Sequence, residues 1–200
     1  MAKRGFDLFL ALVGLVLAAP LFLLVWFLIK LDDGGPLFFQ QERVGRHGRL
    51  FRILKFRTMC VGAEKRGLSV TAAGDQRITR TGRGLRKTKL DEVPQLWNVL
   101  RGEMSFVGPR PEVPKYVALY SPEQRRVLDF RPGITDEASV AFREEEALLA
   151  AADDPERFYV QTCIPQKIAL NLAYAEHASV WGDIGVIFRT VGAVWLRRPE

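Results

Sequence analysis

The sequence predicts an α/β fold that is mainly α: an N-terminal re-entrant membrane helix followed by a small globular domain with amphipathic interfacial helices. Three observations predict it. Residues 8–29 carry no charge. Two short strand-like segments, 37–39 and 50–56, follow at once. From residue 90 onward most segments repeat apolar residues at helical spacing. The chain therefore divides into an anchor, residues 1–30, and one continuous unit, residues 31–200, with no repeat, low-complexity tract or linker.

The anchor begins Met1-Ala-Lys3-Arg4-Gly-Phe-Asp7 and then runs from Leu8 to Ile29 without a charge. At about 1.5 Å per residue these residues reach about 33 Å, enough to cross a hydrocarbon core. A secretory signal is one alternative, since Leu17-Ala18-Ala19 resembles a cleavage site. The apolar run continues beyond it through Phe27, which no cleavable signal needs, so a retained anchor is preferred. Pro20 breaks the hydrogen-bond ladder and implies a bend. Lys3-Arg4 on one flank and a basic domain on the other both favour the cytoplasm. A helix that enters, turns at Pro20 and leaves by the same face satisfies both flanks. A kinked transmembrane helix remains the alternative.

The next elements follow from turn chemistry and spacing. Asp32-Asp-Gly-Gly-Pro36 is a turn. Residues 37–39 and 50–56 are strands joined through Gly45-Arg46-His47-Gly48, with Phe51, Ile53 and Lys55 on one side of the second. Residues 60–75 are polar and Gly-rich and read as a mobile loop. The basic run 76–87 could line a phosphate site or form a solvated face. Val113, Tyr116, Val117 and Tyr120 mark a helical stretch within 112–129, ended by Arg131-Pro132-Gly133. Residues 144–152 and 163–178 are also helical. In 181–198, Ile184, Ile187, Phe188, Val191, Val194 and Trp195 share a face, as suits a helix lying in the membrane interface. Packing against the core would use the same pattern.

Charge narrows the partners. Net charge is +6, but residues 1–110 carry 19 Lys+Arg against 9 Asp+Glu, while residues 111–200 carry 10 against 14. The basic half expects an anionic partner: phosphates, a nucleic acid or an acidic membrane surface. Two distant cysteines, Cys60 and Cys163, give no redox or metal motif. His47 and His177 are isolated and read as structural.

The stretch Lys87-Thr-Lys-Leu-Asp91-Glu92-Val-Pro94-Gln95-Leu-Trp97-Asn98 carries the chemistry. Leu90, Val93, Leu96, Trp97 and Leu100 share a helical face, and Gly102 is placed to end it. Pro94 has no amide hydrogen and belongs in the first turn. Asp91 and Glu92 then lie at the positive end of a helix. A start capped by Thr88 is the alternative, and both acids could be ordinary N-terminal helix acids. Further on, Arg110 sits between Pro109 and Pro111.

Five motifs in series, Lys55-Phe-Arg57-Thr-Met, 77–83, 85–98, 102–111 and Arg131-Pro-Gly-Ile-Thr135, resemble the bacterial sugar transferases, and more narrowly the small monotopic phosphoglycosyl transferases. The resemblance resumes near Asn171-Leu-Ala-Tyr174. It implies transfer of a sugar phosphate from a nucleotide sugar, with UDP expected, to polyprenyl (undecaprenyl) phosphate, releasing UMP. It implies Mg2+ and a ping-pong route through a covalent phosphosugar on Asp91, with Glu92 beside it at the metal and phosphate. Arg110 matches the family's phosphate-binding arginine. Lys55, Arg57, Arg80 and Arg86 lie in matched motifs and are expected substrate contacts. Arg143 stands where the family has a nucleotide- or sugar-contacting arginine. The implied location is the cytoplasmic face of a bacterial inner membrane, at the first membrane step of polysaccharide or glycoconjugate synthesis. Membrane lipids are expected partners, a homodimer is allowed for, and no nucleic acid is expected.

Two departures stand out. Ala19 precedes Pro20 where the family often has serine. After Thr135 many members continue Gly-x-Ala-Gln-Val, but this chain reads Asp136-Glu-Ala-Ser-Val140, and an acidic stretch, Glu144 to Asp154, follows. The rival readings are a membrane-anchored nucleic-acid-binding module, which the basic half favours, and an inactive scaffold of a polysaccharide assembly complex, which intact Asp91, Glu92 and Arg110 disfavour.

Overall fold

The computed structural model describes residues 2–63, 71 and 74–195. Most of the 60–75 stretch read as a loop, and the basic end at Arg197-Arg198, lie outside the described residues.

Helix α1 spans Ala2–Asp32, 31 residues, and continues through Pro20. Its faces differ sharply. Asp7, Ala11, Val25 and Ile29 are buried against the rest of the chain, whereas Leu12, Val16, Leu17, Leu23, Leu24 and Phe27 are exposed. Both of its ends are tied to the same body. At the start, Lys3 donates to the Val107 carbonyl (3.1 Å) and pairs with Asp183, and Arg4 donates to the carbonyls of Val99 (2.7 Å) and Leu100 (3.1 Å). At the far end Asp32 accepts the Thr81 amide at 2.7 Å.

Strands β1 (Phe38–Val44) and β2 (Leu50–Phe56) form an antiparallel hairpin with Phe38 opposite Phe56 and Val44 opposite Leu50. The first strand runs well past the expected Phe39. The turn is tight enough to hold His47 at φ 58° and Gly48 at φ 74°. Phe51 and Ile53 face inward with Ala11 of α1, Leu96, Val99 and Met104, while Phe56 packs with Val25, Ile29 and Leu85. The membrane-type helix thus contributes side chains to two of the three core groups.

Helix α2 (Arg80–Lys87) is capped by Thr79, whose hydroxyl accepts the Gly82 amide. Helix α3 (Gln95–Arg101) ends at Gly102, φ 82°, a left-handed conformation that glycine adopts without the Cβ penalty. A second pairing, between β3 (Ser105–Val107) and β4 (Gly133–Thr135), is parallel. The helical stretch expected over 112–129 is two short helices, α4 (Pro114–Val117) and α5 (Pro122–Arg125), plus a 3-10 turn at Arg126–Asp129. The break lies at Ser121-Pro122. Ser121 forms a reciprocal capping box with Gln124, and Pro122 has no amide to continue the preceding helix.

Helices α6 (Glu137–Ala141), α7 (Glu145–Ala150) and α8 (Pro155–Phe158) lead through a π-helical turn at Tyr159–Cys163 into α9 (Ile164–Ala175). Tyr116, Tyr120, Leu149, Tyr159, Cys163 and Ile168 form the third core group. Helix α10 (Val180–Trp195) buries Asp183 and Val186 and leaves Trp181, Phe188 and Val191 exposed.

Candidate active site

Lys89 takes a left-handed conformation, φ 56°, directly after α2. This reverses the chain and starts a 3-10 turn at Leu90–Glu92. Val93 and Pro94 keep helical angles, so the path runs on into α3 with Pro94 as its N-cap. The alternative start does not form, because the Thr88 hydroxyl donates backward to the Gly84 carbonyl at 2.9 Å. Asp91 and Glu92 are therefore held one turn ahead of α3. With seven residues, α3 supplies only a short dipole, and fixed side-chain charges dominate the site.

Glu92 is 8% exposed and fully engaged. Its Oε1 accepts from Lys55 Nζ at 2.9 Å and from Arg110, and its Oε2 accepts a second Arg110 nitrogen at 3.3 Å. Arg110 thus grips Glu92 with two prongs. Burial would push the Glu92 carboxyl up, but Arg110 and Lys55 outweigh it and hold it well below the usual carboxylate range. Burial lowers the Lys55 ammonium below its ordinary value, with Glu92 opposing. The Glu92 charge pushes Arg110 the other way, further above its ordinary value.

Asp91, 6% exposed, is the opposite case. Its Oδ1 is buried with no hydrogen-bond partner among the described residues. Burial, then the neighbouring Glu92 charge, pushes its carboxyl up, against the pull of Lys55, Lys89 and Arg86. One turn on, the buried Gln95 amide nitrogen is also unpartnered. A carboxylate oxygen without a donor among the described residues, in a basic surround, suits attack on an electrophile or contact with a cation.

The other expected contacts are spread more widely. Arg57 pairs with Asp33, and a Cβ on Gly35 would come within 1.6 Å of its Nη1, so this guanidinium is sealed under a turn. Arg80 is exposed at the start of α2. Arg86 pairs with Glu146 of α7 while its charge still favours ionised Asp91. Arg143 is exposed beside Glu144, 3.7 Å away. Of the expected contacts, Lys55 and Arg110 are the ones that bond Glu92 directly. Of the basic run, Arg83 and Lys87 are exposed and Arg77 pairs with Asp75.

Sequence reasoning missed three residues. Arg43 of β1 donates to the Pro111 carbonyl at 3.0 Å and so braces the segment just after Arg110. Asp136 accepts the Arg110 amide at 3.1 Å. Asp7 accepts from the Ser105 hydroxyl (2.8 Å) and the Phe106 amide (3.2 Å), joining α1 to β3. Asp136 was visible only as a departure from a pattern, and the others had no local signal.

A turn of two buried carboxylates, one of them gripped by arginine and lysine, on a body with a long outward apolar helix, has the features of a membrane-associated protein. The family model described as "Bacterial sugar transferase" matches residues 1–197. The chain is 39% identical over 197 residues to the UDP-N-acetylgalactosamine-undecaprenyl-phosphate N-acetylgalactosaminephosphotransferase of Aeromonas hydrophila, covering 96% of this chain and 43% of that protein. It is 35% identical over 213 residues to the exopolysaccharide production protein ExoY of Rhizobium meliloti (strain 1021), covering 99% of this chain and 87% of the relative. It is 39% identical over 194 residues to the UDP-glucose:undecaprenyl-phosphate glucose-1-phosphate transferase of Caulobacter vibrioides, covering 96% and 68%. The chain belongs to the bacterial sugar transferase family and by that membership is a transferase. It spans less than half the length of the first of these relatives and most of the other two.

Proposed function

We propose that this chain is a phosphoglycosyl transferase that moves a sugar 1-phosphate from a UDP-sugar to undecaprenyl phosphate in two displacements. The observation that carries the reading is the division between the two carboxylates: Glu92 held by Arg110 and Lys55, Asp91 left with an unpartnered buried oxygen. In the first displacement an Asp91 oxygen attacks the sugar-bearing phosphorus. An acyl phosphate bond forms, the phosphoanhydride bond breaks, and UMP leaves with the electron pair. In the second, an oxygen of undecaprenyl phosphate attacks the same phosphorus, and the carboxylate of Asp91 is the leaving group. Arg110 and Lys55 supply fixed positive charge against the donor diphosphate, which offsets repulsion between two anions. The printed names of the relatives support the donor and acceptor classes.

Mg2+ fits the same residues. Among the described residues no group of three or more His, Cys, Asp or Glu is gathered for a metal. Magnesium needs no such cage, since one or two carboxylates plus substrate phosphates suffice. Asp91 Oδ1 is the free oxygen for it, with Glu92 alongside. When bound, the ion would add positive charge at the diphosphate.

The catalytic domain, residues 31–200, is proposed to sit on the cytoplasmic face of the inner membrane with α1 as a re-entrant anchor. The attachment of both ends of α1 to one body supports this, as do the exposed apolar side chains of α1 and α10. The test is UMP release from a panel of nucleotide sugars with undecaprenyl phosphate, paired with mass spectrometry after donor alone. A sugar-phosphate adduct on the Asp91 peptide is expected. Turnover with no adduct under any trapping condition would replace the two displacements with direct transfer.

A further inference from the structure

Arg110 lies between Pro109 and Pro111. Neither proline has an amide hydrogen, so the Arg110 N–H is the only backbone donor of the three residues. That donor goes to a side chain, Asp136 Oδ2, at 3.1 Å. Asp136 is 2% exposed, and its acceptors are filled from two further elements. Oδ2 also accepts from Asn171 Nδ2 of α9 at 2.8 Å, and Oδ1 accepts the Ser139 amide of α6 at 2.6 Å. One buried carboxylate thus joins the Arg110 loop, α6 and α9.

The backbone brings Asp136 there by close packing. The Gly108 amide donates to the Thr135 carbonyl at 3.1 Å, and the Gly133 amide to the Pro109 carbonyl at 3.0 Å. A Cβ on Gly108 would lie 2.3 Å from the Arg131 carbonyl oxygen, and one on Gly133 2.2 Å from the Gly108 nitrogen. The two segments touch backbone to backbone, which sets Asp136 directly against Arg110. This is the position where the sequence departs from the family pattern. Charge favours the same arrangement, because Asp136 adds to the carboxylates that stabilise the Arg110 cation.

We infer that Asp136 is the positioning residue of Arg110: by holding its backbone against α6 and α9, it sets where the guanidinium meets the donor phosphate. The inference rests on the phosphoglycosyl transferase reading for its substrate. It assigns the C-terminal helices a part in that site through Asn171.

Asparagine at 136 has one acceptor oxygen and cannot serve donors on both sides, so at least one bond is lost. The test is a double-mutant cycle on the full chain: wild type, Asp136→Asn, Arg110→Lys and the double variant, with kcat and KM for the donor from UMP release. Lysine carries a point charge on a flexible stem and depends less on backbone placement than a planar fork does. Asp136→Asn should cost about tenfold in kcat/KM when Arg110 is intact and less than about threefold in the Arg110→Lys background, a coupling of roughly 0.7 kcal/mol or more. Equal losses in both backgrounds would reduce Asp136 to a helix cap, and no loss in either would make the tie irrelevant. If Asp136→Asn fails to fold, Asn171→Ala enters the same cycle with the same two outcomes. Calorimetry with inorganic pyrophosphate repeats the cycle without turnover. Coupling there with no UMP release would leave this inference standing and sink the proposed activity instead.

Discussion

The two sides of the Leu90–Glu92 turn face opposite surroundings. On the Glu92 side, β2 delivers Lys55 and the loop after β3 delivers Arg110, and both carboxylate oxygens are used. On the Asp91 side, one oxygen is buried with nothing to accept from among the described residues. Adjacent residues of nearly the same chemistry are thereby pushed in opposite directions, Glu92 down and Asp91 up. Sequence adjacency does not make functional equivalence. The carboxylate that anchors the cations is spent on them, which is why the proposed mechanism gives the reaction to its neighbour.

The largest test of this contrast is Asp91→Asn. Turnover should fall below detection, since an amide does not attack phosphorus, and UMP release measures it. The same variant should melt higher at neutral pH. A carboxyl raised in the folded state contributes stability below its ordinary value of 3.8 and loses it as pH rises through the raised value. Asparagine mimics the protonated form, so the gain should vanish in melts below pH 3.8. Identical melting at neutral pH would mean that Asp91 carries no burial cost.

Glu92→Gln should act in the opposite sense on stability. It removes the carboxylate that Arg110 and Lys55 both bond, at a cost of about 1–3 kcal/mol in denaturant unfolding, because Arg110 is partly exposed and still faces Asp136. Glu92 is depressed, so its contribution is present above 4.5 and lost as pH falls through the folded value. Wild type should therefore weaken on acidification below 4.5 more steeply than the variant does. Parallel pH curves would remove Glu92 from that role.

Arg110→Lys should lose about 1.5–3 kcal/mol in kcat/KM, because a point charge cannot replace a two-pronged grip. Wild-type kinetics would place the guanidinium outside the site. The smallest expected effect is Pro20→Ala. A cysteine at Ala2, with Cys60 and Cys163 replaced, should resist an impermeant thiol reagent in intact spheroplasts, and Pro20→Ala should raise labelling modestly. Full labelling of the Pro20-containing protein would defeat the re-entrant anchor.

The locally determined parts of the molecule were legible in the sequence. Gly102 ends α3 as expected and the Gly45–Gly48 turn defined the hairpin, whereas α3 begins at Gln95, after Pro94 rather than around it. The apolar stripe of α10 allowed both a surface and a core reading, and Phe188 and Val191 stand exposed. The parallel β3–β4 pair was missed, since three-residue strands 28 positions apart in register, Ser105 with Gly133, leave no periodic trace. The split at Ser121-Pro122 was present in the sequence but overridden by the spacing of Tyr116, Val117 and Tyr120. Arg57, Arg80 and Arg143 were singled out by their place in the motifs of the family resemblance, yet a sequence does not say which carboxylate each cation meets. Asp7 and Asp136 show the same gap from the other side, being buried acids whose partners are distant in the chain.

The attachment of α1 at both ends has a mechanical consequence. A catalytic unit on a flexible tether would wander over a range of heights above its anchoring surface. Here the helix contributes Ala11, Val25 and Ile29 to the core and is pinned by Arg4 at one end and Asp32 at the other. Helix and domain are packed and bonded together, so as an anchor the helix would hold the domain like a float with a fixed waterline. On the proposed placement, the depth of Asp91 below or above that line would be set once, by folding, and a lipid-borne acceptor would meet it at that single level.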